Sequence, residues 1–388
     1  MAYFLRAGVG AAVLIGAVFA LAIKLARVAV MPKPFRNVHV HAVEAGRVTL
    51  EANPRTTHAG TFGLSYDAGA GHAIIGEILS TDRRAKTVER AVLATVGSPL
   101  QPTRYSHWEG DVFSGPREID EAAQDVDIPV AGGTAPAWLI PPVDTVPDDN
   151  DTWAIHVHGI RTTRINALRT VPAARSLGFT SLVVSYRGDG EGPTTYKGAS
   201  MLGLAEWPDV NAAVTYAVKH GARRIVLFGW SMGASVVLLT SERSEHRDLI
   251  AGVVVVSPAL QWRGTIRHGA HIVGLPRVCG DLAMAALSSP RVSRIVGVPE
   301  PIDFDAMDWS VPGRIQKPCL VVHSAGDEKI PLAISKMVVA ANPDYADLFE
   351  TSRAGHAWEY NVGPKAFDSG IAAWLRTLPA HVSHNLDK

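Results

Sequence analysis

The second half of the chain alternates between short apolar runs and helical patterns. Five runs have the length and composition of strands buried on both faces of a sheet: WAIHV (153–157), TSLVVSY (180–186), RRIVLFG (223–229), AGVVVVS (251–257) and PCLVVHS (318–324). Between several of them, apolar residues recur at helical spacing over residues 165–177, 207–220 and 231–243. Alternation of strands and helices is typical of a doubly wound α/β unit. We therefore expect a mostly parallel sheet, with a site at the carboxyl ends of its strands.

The third of these runs leads directly into the stretch GWSMG, positions 229–233. Gly229 and Gly233 flank Ser231, and the helical pattern begins at the serine. In a turn from strand to helix, glycines at these two positions let a strained serine project its hydroxyl above the sheet. A helix-capping serine is the alternative, but capping does not require glycine on both sides. We therefore predict a nucleophile elbow in which Gly229, Trp230 and Gly233 surround a nucleophilic Ser231.

A serine hydroxyl is a poor nucleophile at neutral pH and needs a base, which in turn needs an orienting acid. Asp327 follows the fifth apolar run, and His356 stands in the stretch AGHAWEY before a last helical pattern at 364–378. Taken singly, Asp327 is compatible with a turn residue and His356 with a surface residue. With Ser231 they follow strands of one sheet in the chain order serine, aspartate, histidine, which is the order of a known triad. The sequence therefore predicts that these three side chains meet.

The negative charge that develops during acyl transfer needs donors that are already in position. The first apolar run is followed by His158 and Gly159, and a loop glycine there can turn backbone N–H groups toward the nucleophile, joined by the amide of Met232. His156 and His158 are also compatible with a metal pair, but no third ligand lies near them in the sequence. We expect an oxyanion hole at this loop, and neither a metal nor a cofactor.

These motifs together identify a family. The segment from about residue 125 to the C-terminus resembles an α/β-hydrolase, because HVHG, GWSMG, HSAGDEKIP and AGH occur in the family's order. The resemblance implies a mostly parallel central sheet with helices on both faces. It also implies roles for five residues: the nucleophile Ser231, the acid Asp327, the base His356, and the oxyanion-hole donors Ile160 and Met232. It does not specify a substrate, because this fold hosts esterases, lipases, thioesterases, peptidases and acyltransferases.

A long insertion separates the last two apolar runs, at about residues 258–313. It is rich in Trp, Met, Ile and Val. Related proteins often carry a cap over the pocket in this interval, and apolar caps suit acyl groups. We expect a cap here, with a set of packed surface helices as the alternative.

The N-terminus carries a different signal. Residues 7–23 are uninterrupted apolar sequence, and the run continues past Lys24 and Arg27. A spanning helix needs about 17–25 residues, whereas the apolar core of a signal peptide has about 7–15. We predict a transmembrane anchor and linker over residues 1–36, with a cleaved signal ending near the ALA at 20–22 as the alternative. The linker, MPKPFRN, is expected to separate this helix from every folded and catalytic part of the chain.

The flanking charges give a direction to the anchor. More basic residues follow the apolar run than precede it, which favours a cytoplasmic catalytic domain by the positive-inside rule. Lys+Arg and Asp+Glu are equal at 37 each, so no global field favours nucleic acid as a partner. The two cysteines are predicted to be free thiols.

Residues 37–124 form a third region, predicted to be β-rich. Short β-prone runs such as RVTLEA and GTFGLSY alternate there with turn-forming residues, and they match no part of the hydrolase core. The catalytic domain is then expected over residues 125–388. The leading hypothesis is a membrane-anchored serine hydrolase that acts on a small, apolar acyl substrate through an acyl-enzyme. A non-catalytic binding protein that retains the fold is the alternative, and an acyltransferase would use the same triad.

Overall fold

The strands of the protein belong to two sheets. The computed structural model describes residues 16, 18–31, 37–143 and 151–379. The first sheet is a closed antiparallel barrel in the order β1-β2-β5-β4-β3-β6. Its strands are β1 (Asn37–Glu44), β2 (Arg47–Glu51), β3 (Phe62–Tyr66), β4 (Gly71–Asp82), β5 (Thr87–Gly97) and β6 (Thr103–Glu109). Alternate residues of these strands point into the barrel and form its own apolar core. The predicted β-rich region is therefore present.

The second sheet has eight strands in the order β14-β13-β12-β11-β9-β10-β8-β7. Its strands are β7 (Gln124–Val130), β8 (Gly133–Ile140), β9 (Thr152–Val157), β10 (Thr180–Val184), β11 (Arg224–Trp230), β12 (Ile250–Val256), β13 (Cys319–Ser324) and β14 (Ala346–Thr351). Strands β9 to β14 run parallel, and the β7–β8 hairpin pairs antiparallel against β10. All five apolar runs are strands of this sheet, so the predicted mostly parallel α/β fold is confirmed.

Helices cover both faces of the second sheet. They are α1 (described over 18–30), α2 (Val171–Arg175), α3 (Trp207–Lys219), α4 (Met232–Arg243), α5 (Trp262–Ile272), α6 (Arg277–Ser288), α7 (Ser293–Val296), α8 (Leu332–Ala341), α9 (Glu359–Val362) and α10 (Pro364–Leu375). Odd and even residues of the central strands enter two separate apolar cores, one against α3 and α4 and one against α2 and α10. The predicted helix at 165–177 begins instead as a 3-10 segment, Arg164–Thr170. Pro172 lacks an N–H group and is tolerated only in the first turn of a helix, so the α-helix starts at Val171.

The insertion between β12 and β13 carries α5, α6 and α7 within the predicted interval 258–313. These helices contribute buried side chains to the core that also contains α3 and α4. The three helices are called the cap below; that they cover a pocket stays a prediction.

The N-terminal helix is not separated from the folded part of the chain. Ala22, Ala26 and Val30 lie on one face of α1 and are buried, and the amide of Ser200 donates to the carbonyl of Val30 at 2.9 Å. The expectation that the linker isolates this helix is wrong, because an apolar helix face packs equally well on protein and in lipid. Within the described residues, no helix is long and apolar enough to cross a membrane. Residues 7–15 and 17 of the predicted span lie outside the described residues.

Candidate active site

Ser231 occupies the sharp turn between β11 and α4. Its backbone has φ 52° and ψ −112°, a conformation that residues other than glycine rarely adopt. A Cβ atom on Gly229 would lie 2.5 Å from the carbonyl oxygen of Gly233, and one on Gly233 would lie 2.6 Å from the carbonyl oxygens of Val157 and His158. Only glycine fits at either position. The turn therefore has the close backbone approach that the predicted elbow requires, with Trp230 fully buried beneath it.

The three predicted side chains of the triad meet above the carboxyl ends of the strands. His356 Nε2 lies 3.0 Å from Ser231 Oγ, and His356 Nδ1 lies 2.7 Å from Asp327 Oδ2. Asp327 follows β13 and His356 lies in the loop between β14 and α9. The ring of His356 is thus placed to take the hydroxyl proton of Ser231 while Asp327 holds its other nitrogen.

Asp327 is surrounded by donors. Its Oδ1 accepts from the amides of Lys329 at 2.8 Å and Ile330 at 2.9 Å, while Oδ2 also lies 3.1 Å from Nε2 of His323. Burial on its own would raise the pKa of Asp327, but its interactions with His356 and His323 outweigh burial and hold that pKa well below the usual range. The carboxylate therefore stays ionised across the working pH range of most enzymes.

His323 is a site residue that the sequence reasoning missed. It lies at the end of β13, fully buried, and its Nδ1 lies 2.7 Å from the Ser335 hydroxyl. Because Nε2 faces a carboxylate it donates, and Nδ1 then accepts from the serine. The predicted acid, Asp327, is thus held between two histidines. A histidine four residues before the aspartate was the available signal.

The loop predicted to form the oxyanion hole, residues 158–163 and called the oxyanion loop below, approaches Ser231 closely. A Cβ atom on Gly159 would lie 3.1 Å from Ser231 Cβ. The Gly159 carbonyl accepts from the hydroxyls of Tyr186 at 2.9 Å and Thr162 at 3.0 Å. Because C=O and N–H point in opposite directions across a trans peptide, the amide of Ile160 faces away from these donors.

Met232 provides the other predicted donor. It is the first residue of α4, where amides lack an acceptor within the helix. Its N–H is therefore available beside Ser231.

His158 anchors the oxyanion loop through a second missed residue, Asp189. His158 Nε2 lies 3.1 Å from Asp189 Oδ2, and the ring of Tyr186 stacks on that of His158 with the centroids 4.2 Å apart. His156 binds elsewhere, with Thr170 Oγ1 at 2.8 Å. The two histidines therefore have separate partners. In the part of the chain that the structure describes, no group of three or more His, Cys, Asp or Glu is placed to hold a metal ion.

The barrel contacts the loop that carries His356. Asn361 Nδ2 donates to the carbonyl of Thr61 at 2.7 Å, and the amide of Thr61 donates to the carbonyl of Asn361 at 3.0 Å. The ring of Trp358 packs edge-on against that of Phe62, with the centroids 4.8 Å apart. No sequence signal linked residues 37–124 to the triad. The structure gives this region a contact two residues from the predicted base.

Comparison with known proteins gives the family. Residues 154–367, more than half of the chain, match the model of the alpha/beta hydrolase family, and the chain belongs to this family. Residues 39–109, within the barrel, match a domain of unknown function. No match was found among curated proteins.

Solved structures agree on the fold. The esterase Pf2001 of Pyrococcus furiosus is 19% identical, with a TM-score of 0.50, and the alignment covers 68% of this chain and 96% of that one. Est1E of Butyrivibrio proteoclasticus, solved with ferulic acid, is 18% identical, with a TM-score of 0.49 and coverage of 65% and 98%. The family match and the likeness to Pf2001 show the α/β-hydrolase fold.

Proposed function

We propose that the protein is a serine hydrolase that cleaves an ester or related acyl bond through an acyl-enzyme. The observation that carries the proposal is the chain of contacts from Ser231 Oγ to His356 at 3.0 Å and from His356 to Asp327 at 2.7 Å. A nucleophile, a base and an orienting acid in this arrangement suit acyl transfer. The membership of the family and the likeness to esterase folds support the same reaction class.

The reaction begins when Ser231 Oγ attacks the substrate carbonyl carbon and its proton passes to His356 Nε2. The proposed donors to the new oxyanion are the amides of Ile160 and Met232, and donors that are fixed before the charge develops stabilise it most. The bond to the leaving oxygen then breaks, and His356 returns its proton to that oxygen. Water attacks the resulting acyl-serine, with His356 again as base, and releases the acid and the free Ser231.

A fluorophosphonate probe tests this proposal. Wild type should become covalently labelled, and Ser231→Ala should not. Ser369→Ala, which removes an exposed serine hydroxyl in α10 that donates to the carbonyl of Ala366 at 3.2 Å, is the matched control and should label at the wild-type rate. Failure of the wild type to label would favour the binding-protein alternative.

We also propose that the protein acts at a membrane on an apolar acyl substrate, with the catalytic domain on the cytoplasmic side. The apolar run at residues 7–23 and the charges around it support the membrane and its side. The cap supports an interfacial substrate, because its turn from α5 to α6 exposes Ile272, Val273 and Val278. Fractionation of the full chain with membranes, resistant to high salt, is the expected result.

A further inference from the structure

The end of α1 is bound by a residue of the oxyanion loop. Arg161 Nε donates to the carbonyl of Met31 at 2.9 Å, and Arg161 Nη2 donates to the carbonyl of Ala29 at 3.2 Å and also to that of Val28. The last carbonyls of a helix have no partner within the helix, and a cation is favoured at that end. One guanidinium therefore caps α1 from a position more than 100 residues away in the sequence.

The same helix also binds the cap. Arg27 Nε donates to the carbonyl of Val296 at 3.1 Å, and Arg27 Nη2 donates to that of Ile295 at 2.9 Å, at the end of α7. A Cβ atom on Gly297 would lie 2.0 Å from Met31 Cε. The end of α1 is thus held between the cap on one side and the oxyanion loop on the other.

A third contact reaches the other oxyanion-hole donor. Ser200 makes two contacts. Its amide donates to the carbonyl of Val30 at 2.9 Å, and its hydroxyl lies 3.2 Å from Met232 Sδ. The carbonyls of residues 28–31 therefore bind Arg161, which follows Ile160 in the chain, and Ser200, which contacts the side chain of Met232.

Arg161 itself has an unusual backbone. Its φ is +64°, in the left-handed region, where a non-glycine residue is strained and persists only when its surroundings enforce it. The carbonyl of Gly159 is held by Tyr186 and Thr162, which restrains one end of the loop. The hydrogen bonds of the Arg161 side chain restrain the backbone of Arg161, on the other side of Ile160.

We propose that Arg161 is a positioning residue for the oxyanion hole, and that the docked end of α1 is the support it needs. The hydrogen bonds of Arg161 hold the left-handed backbone that keeps the Ile160 amide fixed over Ser231. This inference rests on the proposed hydrolase function. It also replaces the expectation that no catalytic group depends on the helix.

The predicted effect is specific to the transition state. An oxyanion-hole donor acts on the tetrahedral oxyanion more than on the bound ester, and removing one such donor costs about 10²- to 10³-fold in kcat. A donor that is loosened rather than removed should cost less. We therefore expect Arg161→Ala to lower kcat about 10- to 100-fold with little change in KM.

The experiment uses the full-length chain and a water-soluble short-chain p-nitrophenyl ester. Arg161→Ala is compared with Arg161→Lys, which keeps the charge but loses the forked geometry, and with Arg223→Ala as the control. Arg223 lies just before β11, outside the cap and the oxyanion loop, and pairs with Asp151 at 3.1 Å on the surface. We expect a graded loss of kcat from Lys to Ala, an equal loss of affinity for a trifluoromethyl ketone that mimics the oxyanion, and wild-type values for Arg223→Ala.

Hydrogen exchange separates this inference from the proposed function. Amides of residues 158–163 should exchange faster in Arg161→Ala, while those of β11 remain protected. If the wild type neither hydrolyses esters nor labels with the fluorophosphonate, the hydrolase proposal fails, whereas faster loop exchange would still support the restraint. Unchanged exchange, or unchanged ketone affinity in an active enzyme, would overturn the role given to Arg161. If Arg161→Ala does not fold, Arg161→Lys decides by the same two measurements.

Discussion

Ser231 and Asp327 touch opposite nitrogens of His356, so each of the three side chains depends on the other two. In a unit of this kind, loss of one member removes most of what the others contribute. We expect Ser231→Ala and His356→Ala each to lower kcat/KM on the order of 10⁴- to 10⁶-fold, with the fold intact by circular dichroism. The double variant should be scarcely worse than either single one. Independent, multiplying losses would show that the residues do not act together.

Asp327 is tested by a change that keeps its shape. In Asp327→Asn, the amide group must turn its NH₂ toward at least one of the donors that surround the carboxylate, and His356 loses its anionic partner. A loss of kcat on the order of 10⁴-fold is expected, because the histidine is then held in the wrong tautomer. Steady-state kinetics on a soluble ester measure it. Near-normal turnover would show that Asp327 is not the acid.

The residues that sequence could predict are those with a local signal. Ser231 stands between two glycines at a strand end, and His356 and Asp327 follow it in family order. His323 had only the weaker signal of a histidine four residues before the aspartate, and Arg161 carries none, because its contacts with α1 arise across the fold. In the sequence, Arg161 is indistinguishable from a surface arginine; only the fold brings it to α1, 130 residues earlier in the chain.

The absence of a side chain at Gly233 allows α4 to pack closely against the end of β9. A Cβ atom there would lie 2.6 Å from backbone oxygens at the end of β9, which cannot move without moving the oxyanion loop. We expect Gly233→Ala to destabilise the protein by about 1–3 kcal/mol and to abolish labelling by the fluorophosphonate. Gly269→Ala, in α5 with open space around it, is the control and should be neutral or slightly stabilising. Equal melting temperatures for the two variants would contradict this packing argument.

The turn into α9 contains a buried acid. Glu359 accepts from the Ser257 hydroxyl, which itself accepts from the amide of Ala357 at 2.9 Å, next to His356. Burial raises the pKa of Glu359 from 4.5 to about 7, although the hydrogen bond from Ser257 opposes the shift. The folded protein therefore keeps the proton at pH values where the unfolded chain has released it. Protonated Glu359 thus fits the interior, and ionised Glu359 does not.

The sign of the resulting pH dependence follows from linkage. The stability contributed by protonated Glu359 is fully present below pH 4.5 and is lost as the pH rises to about 7. We expect the free energy of unfolding of wild type, relative to that of Glu359→Gln, to fall by a few kcal/mol at most between pH 5 and 7 and to level off above. Urea titrations at several pH values measure this difference. Asp368, whose pKa burial also raises to about 7, is present in both proteins and cancels. A difference that does not change with pH would show that Glu359 ionises normally.

The order and type of most elements could be predicted because buried parallel strands are short, apolar and regularly interrupted. All five apolar runs became strands, and the helix predicted at 207–220 is α3. The predicted helix at 165–177 was wrong over its first half for a local reason. An α-helix that started at residue 165 would need the N–H of residue 172, which proline lacks. The barrel's contact with the triad loop had no signal, since Asn361 binds backbone atoms of Thr61 that any residue would offer.

At the scale of the whole molecule, the docking of α1 changes how the apolar N-terminus can be used. Ala22, Ala26 and Val30 pack against the rest of the protein, so only the apolar sequence from residue 7 to about 20 remains for a membrane contact. These 14 residues are fewer than the roughly 17–25 of a spanning helix. The proposed membrane contact therefore does not require that the chain cross the bilayer. Sequence could not distinguish docking from insertion, because an apolar helix has the same pattern against protein and lipid.

The composition of the cap supports the proposed action at a membrane. Residues 262–297 contain five arginines (263, 267, 277, 291 and 294) and one carboxylate, Asp281, in a chain with no net charge. Val273, at the turn from α5 to α6, is 63% exposed. An apolar tip among cationic residues favours anionic lipid surfaces.

We therefore expect Val273→Asp to reduce the hydrolysis of a long-chain ester carried in vesicles that contain phosphatidylglycerol. A buried carboxylate at the membrane surface is unfavourable, and repulsion from the anionic lipid adds to that cost. Hydrolysis of a water-soluble short-chain ester should not change, because Val273 lies outside the triad and the oxyanion loop. Leu93→Asp is the matched control, since Leu93 is 60% exposed on the barrel and should affect neither rate. Equal losses for both variants on vesicles, or a loss on the soluble ester, would show that the cap tip does not contact the membrane.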